Sequence, residues 1–352
     1  MMEKIEKLIS SNKSSAFLFM DQRETFYLTQ APFDGFALLI AGGKCYALCS
    51  IMIKDQVEDF FGNEVEISVN NNFIENVKTI LSRQKSDVWD KNLIVDSLNI
   101  SSNAYFSLEN ELSGLGIKIL SQKSVLEKFR IIKNPDEIEN IKIACDIVSE
   151  VCQKIKSELT EGISEIDIHY RVLELFAQRH SIMSFTPIIA AGSNSANPHH
   201  ASSNYKIKPD DMVLIDIGCK YKGYCSDLTR TYFLNRISDE RTKIWDIVKK
   251  SHDIVIEQIK AGLPINWADE AAREIISKAG YKDKFIHNTG HGIGIEVHEP
   301  PSLNPKAEGV FLDNMVVTVE PGIYLKNSFG VRIEDTILIT KNGCEVLTKA
   351  PY

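Results

Sequence analysis

Strongly apolar runs, each broken by an acidic residue, recur in the second half of the chain: 213–218 (VLIDIG), 224–234 (YCSDLTRTYFL), 316–324 (VVTVEPGIY) and 331–340 (VRIEDTILIT). They are rich in β-branched and aromatic residues and bounded by turn-formers, so each reads as a strand. The first two are expected to close as one antiparallel hairpin and the last two as another. A turn centred between Tyr221 and Lys222 sets Asp216 opposite Asp227, and a turn around Asn327 sets Glu320 opposite Glu334. Directly opposed residues have Cβ atoms about 4.5–5.5 Å apart. Carboxylates that close repel one another unless cations or protons intervene.

Ahead of each hairpin the apolar spacing predicts two helices. The first pair covers 136–159 and a segment starting at Ser164, where Asp167 completes a capping box. The second pair covers 241–261 and 266–279, stopped by Gly262 and Gly280. The chain therefore runs twice through one pattern, and the pseudo-duplication brings one carboxylate pair from each half to a shared centre. Before residue 128 the texture differs. Strand-like 16–19, 35–40, 45–49 and 93–96 alternate with helical 72–83 and a helix around 105–112, which suggests an α/β domain with a small mixed sheet. Residues 1–15 form an amphipathic helical pattern without a signal-peptide core. The stretch 128–135 (KFRIIKNP) reads as a linker ending at a helix start.

Composition narrows the class. The chain has 352 residues, 43% hydrophobic and 25% charged, which suits two globular domains. A net charge of −8 without a basic block argues against nucleic-acid binding. No run approaches the roughly 18–20 apolar residues that span a membrane. Seven cysteines without CxxC spacing fit reduced thiols in a cytoplasm, and Cys219 and Cys225 are expected to be small packing residues.

The candidate chemistry lies in the acidic positions and in clustered histidines. Asp216, Asp227, Glu320 and Glu334 with His291 make four carboxylates and one imidazole, which balance two divalent cations. Such a site leaves a water to be activated as a nucleophile. Oxygen-rich ligation suits manganese, cobalt or zinc. His287, His291 and His298 fall within HNTGHGIGIEVHEPP, whose glycines Gly290, Gly292 and Gly294 let the backbone bend beside His291. This G-x-G-x-G lacks the strand-before, helix-after setting and the spacing of a nucleotide-binding loop. His199 and His200 follow GSNSANP; His169, His180 and His252 lie in or beside helical patterns and read as ordinary polar residues.

The motifs DIG…SDLTRT, TGHGIG…VHEPP, VEPGIY and VRIEDT, in this order, resemble the pita-bread metallopeptidases, within them the Xaa-Pro branch of aminopeptidase P and Xaa-Pro dipeptidase. The resemblance is strong over 128–352. It implies an α+β protein: a creatinase-like α/β N-terminal domain, 1–127, before a pita-bread catalytic domain, 128–352. The latter is a pseudo-duplicated antiparallel sheet with outer helices. It further implies two divalent metal ions, manganese first, held by Asp216, Asp227, His291, Glu320 and Glu334, with Asp227 and Glu334 bridging. Glu320 resembles the family's proton-handling group, His199 and His298 the histidines that bind substrate and stabilise the tetrahedral intermediate, and His287 and Arg332 the residues supporting them. The implied substrate is a proline-containing di- or oligopeptide cut after its first residue, by a cytoplasmic homodimer.

Three other readings stay in view. A methionine aminopeptidase shares the ligand set, but the extra N-terminal domain and the ANPHH and VHEPP context argue against it. A creatinase-like amidinohydrolase shares both domains yet needs no metal, and a non-catalytic binding module of this fold typically lacks ligands. Retention of all the ligand types argues against both. In the N-terminal domain SIMIKD stands where family members usually carry a Thr/Asp-Arg-Tyr-type motif, which leaves open whether dipeptides or longer peptides are taken.

Overall fold

The computed structural model describes residues 2–11, 14–84, 89–235 and 238–352, in two compact units, Met1–Lys128 and Phe129–Tyr352. Positions 1, 12 and 13 of the expected N-terminal helix lie outside the described residues; the helix itself spans Met2–Ser11.

In the first unit six strands form one mixed sheet, in the order Glu66–Val69, Lys44–Cys49, Phe36–Ala41, Ala16–Phe19, Asn92–Asp96 and Lys118–Gln122. The first and last of these strands, and the helices Gln22–Thr29 and Lys54–Phe61, were not expected from the sequence. The two outermost strands are only partly buried, so their apolar alternation is weak. Val77, Ile80 and Leu81 of helix Phe73–Ser82, with Leu108 and Leu112 of Ser102–Ser113, pack on the sheet residues Leu39, Leu48 and Leu93.

The second unit is built twice over. Helix Pro135–Glu158 starts at Asn134, whose side chain exchanges capping bonds with Glu137, and Pro135 needs no amide partner there. Its buried positions Ile141, Ala144, Val148, Val151 and Ile155 recur every three or four residues. With helix Glu165–Gln178, capped by Ser164 and Asp167, it covers a sheet of Ile188–Ala191, Met212–Ile217 and Leu228–Phe233. Helices Asp239–Gln258 and Asn266–Lys278 cover a second core, over a five-stranded antiparallel sheet that includes Gly290–Gly292, Val316–Val319 and Asp335–Ile339. The stretch expected to be a linker is structured instead. A helical turn, Glu127–Arg130, precedes a bridge between Ile132 and Met315, and Lys133 is buried. Mixed apolar and basic residues are read as surface chain when the acidic partners that neutralise them lie more than 150 positions away.

The hairpins differ in how well they were foreseen. In the second, Val319 faces Asp335 and Gly322 faces Arg332, so Glu320 and Glu334 hold the expected register in the break between those segments. In the first, Asp216 faces Thr229 rather than Asp227. The turn is Lys222-Gly223, with φ of 44° and 83°, one position beyond the expected centre. Two consecutive left-handed residues make the tight hairpin turn that glycine permits. Partners therefore shift by two, and because side chains alternate with period two, both aspartates stay on one face.

Candidate metal centre

Each residue singled out from the sequence lines one cavity of about 750 Å³ in the second unit: Asp216, Asp227, His291, Glu320 and Glu334, with His199, His287, His298 and Arg332. Ligand-type atoms of Asp227, His291 and Glu334 lie within 4.8 Å of one another. His291 Nε2 is 3.4 Å from Glu320 Oε1 and 3.7 Å from Asp227 Oδ2. Its Nδ1 sits 3.1 Å from the carbonyl of Gly292, which can only accept, so Nδ1 carries the proton and the Nε2 lone pair faces the carboxylates. That is the tautomer a metal-ligating histidine needs.

The glycines beside His291 serve closeness rather than bending, since none has a positive φ. A Cβ at Gly290 would lie 2.0 Å from the Thr318 carbonyl oxygen, and one at Gly292 would lie 2.2 Å from that of Pro300. Only a bare backbone lets the strand carrying His291 approach its neighbours this closely.

Three buried oxygens, Asp216 Oδ1, Asp227 Oδ1 and Glu334 Oε1, have no hydrogen-bond partner among the described residues. Orphaned buried carboxylate oxygens are costly. Burial first, then the neighbouring charges of Glu334, Asp216 and Glu320, holds Asp227 well above the usual carboxylate range. Glu334 is raised by burial and by Glu320 and Asp216, and Glu320 is pushed up to about 7, mainly by burial. A site whose carboxylates resist ionising together, with oxygens left bare and a histidine lone pair turned inward, fits bound divalent cations.

Around these groups runs a hydrogen-bond web that links Arg332 and His287, expected as supporting residues, through Thr229 and Tyr324, which were not expected. Arg332 forms an ion pair with Asp216 through Nη2, donates to Thr229 Oγ1 at 3.2 Å through Nε, and reaches Tyr324 OH at 2.8 Å through Nη1. Tyr324 donates onward to His287 Nε2 at 2.9 Å, because His287 Nδ1 gives its proton to Asn288 O at 2.8 Å. Burial, helped by the Arg332 charge, lowers the His287 pKa to about 4. The His298 ring stands 4.4 Å from that of His291, centroid to centroid, and burial lowers its pKa too. His199 is carried by a loop anchored at the buried Glu165, whose carboxylate accepts from Ala191 N at 2.7 Å, Asn194 Nδ2 at 2.9 Å and Ser203 Oγ at 2.7 Å, and contacts His200 Nε2 at 2.8 Å. Tyr324 and Thr229 stood inside the quoted motifs without being singled out; the only signal for Thr229 is strand alternation, which puts it on the face of Asp227. Cys219 and Cys225 are buried thiols pushed up to about 11 and 12 by burial, and they act as packing residues.

Fold and site together define a metal-dependent hydrolase of pita-bread architecture. Residues 139–341 match Metallopeptidase family M24, and residues 1–132 match the Creatinase/Prolidase N-terminal domain. The chain belongs to metallopeptidase family M24. It is similar to the Xaa-Pro dipeptidase of Pyrococcus horikoshii, with 35% identity over 357 residues that span 99% of this chain and 97% of that one. Two solved structures are also similar. For the Xaa-Pro dipeptidase from Bacillus anthracis the TM-score is 0.93 at 32% identity, covering 99% of this chain and 98% of that one. For the X-Pro aminopeptidase from Thermotoga maritima it is 0.89 at 27% identity, covering 98% of each.

Proposed function

We propose that this metallopeptidase hydrolyses the bond between an N-terminal residue and proline, in Xaa-Pro dipeptides or in peptides that begin Xaa-Pro. The observation that carries the reading is the convergence of two carboxylate pairs and the His291 lone pair on one cavity, with three carboxylate oxygens left without partners among the described residues. The relatives named above that support it are Xaa-Pro dipeptidases. The catalytic part is taken as 128–352, preceded by the creatinase-like domain 1–127.

Asp216, Asp227, His291, Glu320 and Glu334 would hold two divalent ions, manganese first, with cobalt or zinc as alternatives. When bound, those ions would supply Lewis acidity to the scissile carbonyl and to the attacking water. Glu320 accepts the proton of that water and returns it to the leaving imino nitrogen. His298 donates to the oxyanion as charge develops on the carbonyl oxygen. His199 binds the substrate, while Arg332 and His287 keep the surrounding groups in place through Asp216 and Tyr324.

Two further features go with the reading. Six of the seven unpaired cysteines are buried, which suits a reducing compartment such as the cytoplasm, and among the described residues no helix is long and apolar enough to cross a membrane. A homodimer is proposed with it: Ile51, Met52 and Phe60 stay exposed on the first unit, and sedimentation velocity tests the dimer directly.

The test is hydrolysis of Ala-Pro, Ala-Pro-Ala and Met-Ala-Ser after manganese or cobalt is restored to chelator-stripped protein. Cleavage of Ala-Pro alone identifies a dipeptidase, and release of alanine from Ala-Pro-Ala an aminopeptidase P. Cleavage of Met-Ala-Ser alone, or of none, overturns the proposal.

A further inference from the structure

Glu299 follows His298 directly and lies at the centre of a buried ionic cluster that the chemistry above does not use. Its Oε1 accepts from Arg130 Nη2 at 2.5 Å and from the backbone N–H of Glu296 at 3.1 Å. Its Oε2 is 3.4 Å from Lys133 Nζ, and Arg130 also reaches Glu296 Oε2 at 2.6 Å. The Lys133 and Glu299 side chains are only 3% and 2% exposed. The carboxylate rests on the backbone of Gly294, where a Cβ would meet Oε2 at 2.7 Å.

These contacts close the segment 292–299 on itself. One carboxylate touches its middle at Gly294 and Glu296 while the chain continues from its own backbone at the far end. His291 enters this segment, His298 leaves it, and their rings pack together. Burying a lysine and an arginine beside carboxylates is a poor way to gain stability, because apolar residues of the same volume commonly do as well or better. What the cluster does provide is a directional hold on one short loop.

We propose that Arg130, Lys133 and Glu299 are positioning residues that set the His298 imidazole against His291 and the cavity. Arg130 and Lys133 reach into the loop from the segment that precedes the long helix Pro135–Glu158. Glu299 transmits their hold to the residue beside it. The kinetic consequence rests on the Xaa-Pro peptidase reading; the geometric one does not.

The test combines kinetics with imidazole NMR on the full chain labelled with 15N-histidine. Glu299→Gln is expected to lower kcat on Ala-Pro about tenfold, the lower end of what loss of an outer partner of a site residue costs. KM should stay within about twofold, since uniform binding is not what is lost. The double variant Glu299→Gln/His298→Ala should be no slower than His298→Ala alone, because the effect travels through His298. In the NMR spectrum the His298 ring resonances should shift or broaden in Glu299→Gln while those of His252, buried on helix Asp239–Gln258 beside Asp335, stay put. Additive losses in the double variant, or an unmoved His298 resonance, overturn the proposal. Should wild-type protein cleave no Xaa-Pro peptide, the functional reading fails, and the NMR comparison still decides the positioning role. If Glu299→Gln does not fold, Arg130→Lys is measured in its place: it keeps the charge but loses the fork that spans Glu296 and Glu299, and the same resonance is expected to move.

Discussion

The Thr229 hydroxyl donates to Glu334 Oε2 across 2.6 Å, joining the hairpin of the first half to a proposed metal-ligand position of the second. The same hydroxyl accepts from Arg332 Nε, and Arg332 grips Asp216, so three of the acidic or basic groups at the site are aligned through one threonine. Thr229→Val keeps the shape and removes the link. Glu334 then has a second buried oxygen without a partner, which costs about 1–3 kcal/mol. Urea denaturation of the metal-free protein measures that loss, and an unchanged midpoint would show the bond to be idle.

Glu320→Gln is expected to abolish turnover and weaken metal binding, since a ligand and a proton carrier disappear together. General acid–base catalysis alone is worth about 10²–10⁴-fold. Steady-state kinetics on Ala-Pro and elemental analysis separate the two effects. Near-normal activity would remove Glu320 from the mechanism.

His298→Ala should fold and retain its metal yet lose about 10²–10³-fold in kcat, the usual loss for one oxyanion donor. A variant with unchanged kcat would count against the role given to His298.

Metal removal should make stability depend on pH in a defined direction. Asp227, Glu334 and Glu320 have raised pKa values in the metal-free fold, so they bind more protons folded than unfolded. Stability therefore falls as pH rises from the ordinary carboxylate range through about 7, the Glu320 value. The lowered imidazoles His287, His291 and His298 oppose this, but only below their unfolded value of about 6.5. The net fall is expected above about pH 6.5. Glu24 in the first unit, raised to about 7 by burial, acts in the same direction but does not respond to metal. The difference between metal-free and manganese-loaded protein, measured by urea midpoints at pH 6.5 and 8, isolates the site. A metal-free protein that is equally stable at both pH values would contradict the assignment of these carboxylates.

The parts of the site readable from the chain were those with local causes. Glu320 and Glu334 could be paired because Asn327, with φ of 60°, sits at the centre of a symmetric turn. Asp216 and Asp227 were paired two positions off because Lys222-Gly223 forms the tight turn, yet their shared face survived, since a shift of two preserves alternation. The four helices of the second unit were legible through caps and stops such as Ser164, Asp167 and Gly262. Thr229 and Tyr324 were not, because a hydroxyl gains meaning only from partners that tertiary structure delivers. Arg130 and Lys133 carry no local signal for the same reason: their counter-charges lie in the loop around Glu299.

The proposed ligand pairs come from opposite sides of the pseudo-duplication: Asp216 in strand Met212–Ile217 and Asp227 just before Leu228–Phe233 in one half, Glu320 just after Val316–Val319 and Glu334 just before Asp335–Ile339 in the other. A growing chain that has emerged only through its first half displays two aspartates and no partner for them. On the proposed ligand set its metal centre is incomplete until the last hairpin is made and folded. Under that assignment the activity belongs to the completed second unit and to neither half alone.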